Sequence, residues 1–101
     1  MSKDVHIIAM IQGRTQSNPI YSKDIERRLA ISGVAVREAV HNARTEQNVP
    51  ICSGPTGYFM PRNMLEAQST IRSLYSRAKQ NREAAEGMEK HYNKEKQMRL
   101  I

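Results

Sequence analysis

The sequence predicts a mainly α fold with one small β-hairpin, an α+β chain that ends in a long helix. Three observations carry this. Apolar residues recur at helical spacing through three segments before residue 48. Two short β-prone runs flank the breaker-rich stretch Ser53-Gly54-Pro55-Thr56-Gly57. From Asn63 onward there is no proline and a single glycine, Gly87.

The first helix is expected over Asp4 to Gln12, with Val5, Ile8 and Ile11 on its inner face, Asp4 as N-cap and Gly13 as its stop. A strand through the IIAMI run is the other reading, which Gly13 disfavours. Gly13 to Pro19 is a polar linker whose one charge, Arg14, reads as a solvated loop residue before it reads as a phosphate contact. Ile20 and Tyr21 suit a one-rung strand. Ser22 then caps a helix that runs to Arg28 or Leu29, because its hydroxyl can accept from an early free amide. Asp24 and Glu26 suit the positive end of that helix, and Ile25 and Leu29 share its buried face.

Ala30-Ile31-Ser32 forms a tight corner, with Ile31 as the apolar plug and Ser32 as the next N-cap. The following helix is expected from Gly33 to about Gln47. Its inner stripe is Val36, Ala39, Val40 and Ala43, and its other face carries Val34, Arg37, Glu38, His41, Asn42, Arg44 and Thr45. Such a face can donate to phosphates and base edges, or it can be a plain solvated surface. Asn48 ends the helix because asparagine tolerates the left-handed conformation. Val49 to Cys52 and Tyr58 to Met60 are the expected strands, Pro61 ends the second, and Pro50 marks an edge.

The last helix has Asn63 as cap with Glu66 reaching back to it. About 34 residues at 1.5 Å each give roughly 50 Å, more than a core of about 60 residues, with a radius of gyration near 10 Å, can cover. Ile71, Ala78, Ala85 and Tyr92 recur every seven residues, and Leu74, Asn81 and Met88 follow the first three by three. This is a weak heptad seam that predicts self-association, with looser turns beyond Tyr92. Asn81 within it leans toward a parallel pair without fixing the orientation. Glu86 with Lys90, and Glu95 with Arg99, support the exposed helix. The expected division is a domain over 1–61 and the helix over 62–101.

Composition narrows the function. The chain has 101 residues, 39% hydrophobic and 5% aromatic, so the core is modest and a second copy would help it. Sixteen Lys and Arg against 10 Asp and Glu leave +6 at neutral pH, with a pI near 9.8. That surplus suits a polyanionic partner, though many small basic proteins are merely soluble. The one cysteine, Cys52, excludes an internal disulfide and fits a reducing cytosol. It reads as a half-buried strand residue rather than a redox switch. No secretory leader is evident at the N-terminus, and no apolar run approaches a membrane span. His6, His41 and His91 are far apart in sequence, no metal-ligand spacing, phosphate loop or nucleophile elbow occurs, and neither an enzyme, a metal site nor a cofactor is expected.

The run ISGVAVREAVHNAR followed by VPICSGPTGYF resembles the N-terminal DNA-binding domain of bacterial biotin-ligase repressors. The likeness rests on Ile31-Ser32, Val36, Val40, Arg44, Val49 to Ile51 and Gly57-Tyr58, within about Ile20 to Met60. It is also similar to small phage and prophage winged-helix proteins that pair this module with a long C-terminal helix. Ala43 stands where the family has a larger aliphatic residue, and no ligase domain follows, so biotin chemistry does not carry over. The resemblance implies a winged helix-turn-helix that reads double-stranded DNA as a cytoplasmic dimer in a bacterial or phage-infected cell. It would serve as a transcription regulator or as a phage replication or recombination factor. The helix from Gly33 would enter the major groove. Ser32 would hold a phosphate at the helix start. Arg37 and His41 would face base edges, Val34 a thymine methyl, and Arg44, Lys23 and Arg28 the phosphates. His41 could also make the binding sensitive to pH, though a plain polar contact is the commoner role. The wing tip, Ser53 to Thr56, has only amides and hydroxyls to offer. The alternative is an adaptor or inhibitor that binds another protein, which the uncharged wing favours. Pairing would run through Ile71, Leu74, Ala78, Asn81, Ala85, Met88 and Tyr92.

Overall fold

The computed structural model describes residues 3–99, with side chains through residue 94. Four helices and one antiparallel hairpin follow in the order α1 (Lys3–Gln12), α2 (Ser22–Leu29), α3 (Gly33–Glu46), β1 (Cys52–Gly54), β2 (Gly57–Phe59) and α4 (Met64–Arg99). The chain is therefore mainly helical with a small two-stranded sheet and a long final helix. It divides into two compact units between Thr70 and Ile71.

In the first unit, α1 and α2 pack on α3 around Ile7, Ile11, Ile25, Val36, Ala39, Val40 and Ala43. The inner stripe of α3 is the expected one. That of α1 is not. Ile7 and Ile11, one turn apart, are buried, Ile8 is half-buried and Val5 is 50% exposed. Asp4 lies inside the first turn rather than before it.

The expected cap at Ser22 is also corrected. The chain stays extended through Tyr21 (φ −71°, ψ 144°), because Ile20 exchanges two 2.9 Å hydrogen bonds with Tyr58. The Tyr21 carbonyl then accepts from the Asp24 amide at 3.1 Å, and Ser22 becomes the first helical residue. The corner after α2 turns on Ala30 in the left-handed region (φ 52°, ψ 51°), a conformation that costs a residue with a Cβ roughly 1–2 kcal/mol. Ile31 packs on the core from this corner.

Asn48 ends α3 in the left-handed region (φ 56°), and the Val49 amide closes back on the Ala43 carbonyl at 3.0 Å. This and Pro50, which has no amide hydrogen, keep Val49 to Ile51 out of the ladder. The first strand therefore begins at Cys52 rather than Val49, and the second runs one residue earlier than expected, pairing Cys52 with Phe59, Ser53 with Tyr58 and Gly54 with Gly57 across the tip Pro55-Thr56. Gly57 takes φ 125° and lies so close to Ile20 that a Cβ would strike the Ile20 carbonyl.

The first turns of α4 belong to this unit, so the boundary falls nine residues beyond the expected one. Ala67 packs with Cys52 and Phe59 in a second small core. The Thr70 hydroxyl accepts from the Ser53 amide at 3.2 Å and faces the Ser53 carbonyl at 3.3 Å. Asn63 caps the helix as expected, its Oδ1 accepting from the Glu66 amide at 3.1 Å. Glu66 does not reach Asn63. Its carboxylate accepts from the Arg62 amide at 3.3 Å and from Arg62 Nε at 2.6 Å.

The second unit is the remainder of α4. From residue 71 to residue 94 no described side chain is buried. The expected Glu95–Arg99 pair, and the turns beyond Tyr92 as far as they involve side chains past residue 94, lie outside the described residues. No helix among the described residues is long and apolar enough to cross a membrane.

Candidate nucleic-acid interface

The candidate surface is the outer face of α3. Ser32 starts the helix from extended backbone (φ −81°, ψ 161°), and its Oγ accepts from the Ala35 amide at 3.1 Å. Beyond it the helix is sharply two-sided. Val36 and Ala39 are buried, while Val34 remains 53% exposed and Arg37, Glu38, His41 and Asn42 are all exposed. Together with Val34 these four side chains line a shallow open depression. Because the inner stripe is held by α1 and α2, the outer side chains are presented from a fixed rod rather than a loop.

Glu26 sits at the start of that rod. A Cβ built on Gly33 would meet Glu26 Oε1 at 3.4 Å and Arg37 Nη1 at 3.5 Å, so both side chains lie over this glycine. The other carboxylate oxygen accepts from Ser22 Oγ at 3.1 Å, which holds Glu26 there. A carboxylate at a helix N-terminus offsets the positive end of the dipole. It therefore competes for the position expected of a phosphate beside Ser32. The spacing Ser22-x-x-x-Glu26 was the available sequence signal for this brace.

Two further expectations change their setting. Arg44 is half-buried, its Nε donating to the Ile51 carbonyl at 2.9 Å and its Nη2 to Ser53 Oγ at 3.3 Å. It ties the end of α3 to β1. Ser53 is not at the hairpin tip but in the strand, half-buried opposite Tyr58, so the exposed hydroxyl at the tip is that of Thr56. Lys23 and Arg28 are exposed on α2, and Arg27 between them pairs with Asp24 at 3.2 Å.

Elsewhere the chemistry is quiet. Cys52 is buried, with Sγ 3.8 Å from the Pro50 carbonyl and 4.0 Å from that of Glu66, and burial pushes its thiol pKa up. Among the described residues no group of three His, Cys, Asp or Glu side chains is placed to hold a metal.

In the second unit the expected seam residues are all exposed. Met88 is 66% and Tyr92 64% exposed, whereas Ile71 and Leu74 stand at 37% and 39%. Ala85, Met88, Glu89, Tyr92 and Asn93 line an open, mostly apolar depression.

Comparison with models of known protein families, with curated proteins and with solved structures finds no match to this chain.

Proposed function

We propose that the protein binds double-stranded DNA through the outer face of α3, as a pair of copies joined by α4. The observation that carries this reading is the division of α3. Its aliphatic side is locked into the core, and Val34, Arg37, His41 and Asn42 stand clear on the other side. The order α2, corner, α3, hairpin is that of a winged helix-turn-helix, in which the second helix lies in the major groove. Arg37 would read guanine edges, with His41 one turn further on. Lys23 and Arg28 would meet phosphates, while Thr56 and the amides at the tip would touch the backbone more weakly. Arg44 is counted as a brace that sets the hairpin against α3 rather than as a phosphate ligand. Two linked copies would raise the effective concentration of the second contact.

The test is a mobility shift on random duplex DNA at low and at physiological salt. Binding by phosphate contacts must weaken steeply as salt rises. Arg37→Ala should relax base preference, and Lys23→Ala with Arg28→Ala should lower affinity on every sequence alike. Absence of a shift at low salt would refute the proposal.

A second reading, a protein-binding adaptor, is favoured by the hairpin tip. Pro55 and Thr56 carry no charge there, and Glu26 stands at the start of α3. Binding that persists unchanged at high salt, to a protein and not to DNA, would select it.

A further inference from the structure

The direction in which two copies of α4 meet can be read from the charges beside the seam. The seam positions are Ile71, Leu74, Ala78, Asn81, Ala85, Met88 and Tyr92. Flanking them are Tyr75, Arg82 and Glu89 on one side and Arg77, Ala84 and His91 on the other. All six flanking side chains are exposed. In a parallel pair in register, each residue of one flank meets the opposite flank of the partner five positions on. That sets Arg77 against the partner's Arg82 twice and Ala84 against the partner's Glu89, with no opposite charges brought together. In an antiparallel pair, like flanks meet instead, and Arg82 can face the partner's Glu89 twice.

We propose that α4 pairs with α4 of a second copy in the antiparallel direction, with Ala85 facing the partner's Met88 and Asn81 facing the partner's Tyr92. This rests on the self-association proposed above. Small then meets large at Ala85 against the partner's Met88 and at Asn81 against the partner's Tyr92, and the apolar depression at Ala85, Met88 and Tyr92 is covered, while Ala78 and Leu74 come level with the partner's Glu95 and the partner's Arg99. Met88 and Tyr92, more exposed than Ile71 and Leu74, gain cover. On the other flank Ala84 meets the partner's His91, without repulsion between fixed charges.

The register is limited on the side toward the start of the helix. Slipping one heptad toward the start of the helix, so that Ala85 faces the partner's Asn81, brings Arg82 onto the twofold axis against its own copy. It also carries the partner's helix past Ile71, toward Ala67 and Thr70, which are already spent on the hairpin. In the proposed register the end of the partner's helix at Arg99 falls level with Leu74. The pairing then draws only on positions from Leu74 onward. Asn81, whose place in the seam leans toward a parallel pair, is here matched with a tyrosine hydroxyl, so its amide keeps a polar partner.

The experiment uses the full chain with exposed positions changed. Arg82→Glu should weaken dimerisation, read by sedimentation equilibrium, by about tenfold, because it sets like charges against each other twice. Arg82→Glu with Glu89→Arg should restore it. In a parallel pair the single change would strengthen dimerisation instead, by placing Glu beside the partner's Arg77. Cysteine cross-linking reads the direction separately. Asn81→Cys chains mixed with Tyr92→Cys chains should form a mixed disulfide. Each variant alone should not, because like positions would lie about 16 Å apart along the axis. Self-cross-linking of Asn81→Cys in a chain that is dimeric would overturn the antiparallel arrangement and leave self-association standing. A chain that stays monomeric at every concentration would overturn both.

Discussion

The helices α3 and α4 both carry a periodic apolar stripe, yet the two stripes are used differently. In α3 the residues Val36, Ala39, Val40 and Ala43 are all buried inside their own unit. Among the described side chains of α4 only Ala67 and Thr70 are buried, both before the unit boundary, and none from residue 71 to residue 94 is. A stripe spaced for a globular core finds its partners within the chain. A stripe spaced every seven residues over many turns is suited to another helix of the same kind.

The sharpest way to break this contrast is to truncate one residue in each region. Ile25→Ala should cost the first unit about 2–5 kcal/mol of folding stability, because it empties a fully buried site beside α3. Met88→Ala should change folding of the isolated chain by no more than about 0.5 kcal/mol, while weakening association at the same time. Denaturant melts at low protein concentration, run beside sedimentation, separate the two. Equal losses of folding stability would mean that the stripe of α4 is covered within the chain after all.

Gly57→Ala should come next, at about 2–4 kcal/mol, since φ 125° and the nearby Ile20 carbonyl leave no space for a methyl group. A thermal melt reads it, and a neutral result would show that Ile20 and the hairpin are not held together. Arg44→Ala should cost about 1.5–3 kcal/mol in the same assay, by releasing the Ile51 carbonyl and Ser53 from a charged donor. If instead it left stability untouched and lowered DNA affinity alone, Arg44 would return to the role of a phosphate contact.

The smallest effect is one of pH. The hydrogen bond from Arg62 holds the Glu66 carboxyl below the ordinary carboxylate range. A group with a depressed folded pKa contributes stability above its unfolded pKa and loses it as the pH falls through the folded value. The start of α4 should therefore loosen in acid, seen as earlier amide exchange at Glu66 and Ala67. Glu66→Gln should flatten that dependence.

What the sequence made legible was local. The stripe of α3, the cap at Asn63 and the left-handed Asn48 each depend on residues within a few positions of one another. Nothing in the sequence marks Ala30, because alanine has no preference for the left-handed turn that it adopts. The buried face of α1 differs from the expected one because adjacent Ile7 and Ile8 permit two stripes, and only packing on α3 chooses between them. In the candidate site, the division of α3 into an inner and an outer face could be read in advance. The bond from Arg44 to Ser53 could not, because it spans nine residues and depends on where β1 begins. Glu26 over Gly33 depends in the same way on the angle of the corner.

The way the hairpin is bordered has a consequence for how copies of this chain can meet. Along the outer margin of β2, Tyr58 already exchanges both of its backbone bonds with Ile20. Along that of β1, the amide of Ser53 is taken by the Thr70 hydroxyl. A strand arriving from another molecule finds no open row of amides and carbonyls to zip onto, which is how small sheets avoid runaway stacking into fibrils. Growth by strand addition is thereby closed off at both margins of the hairpin.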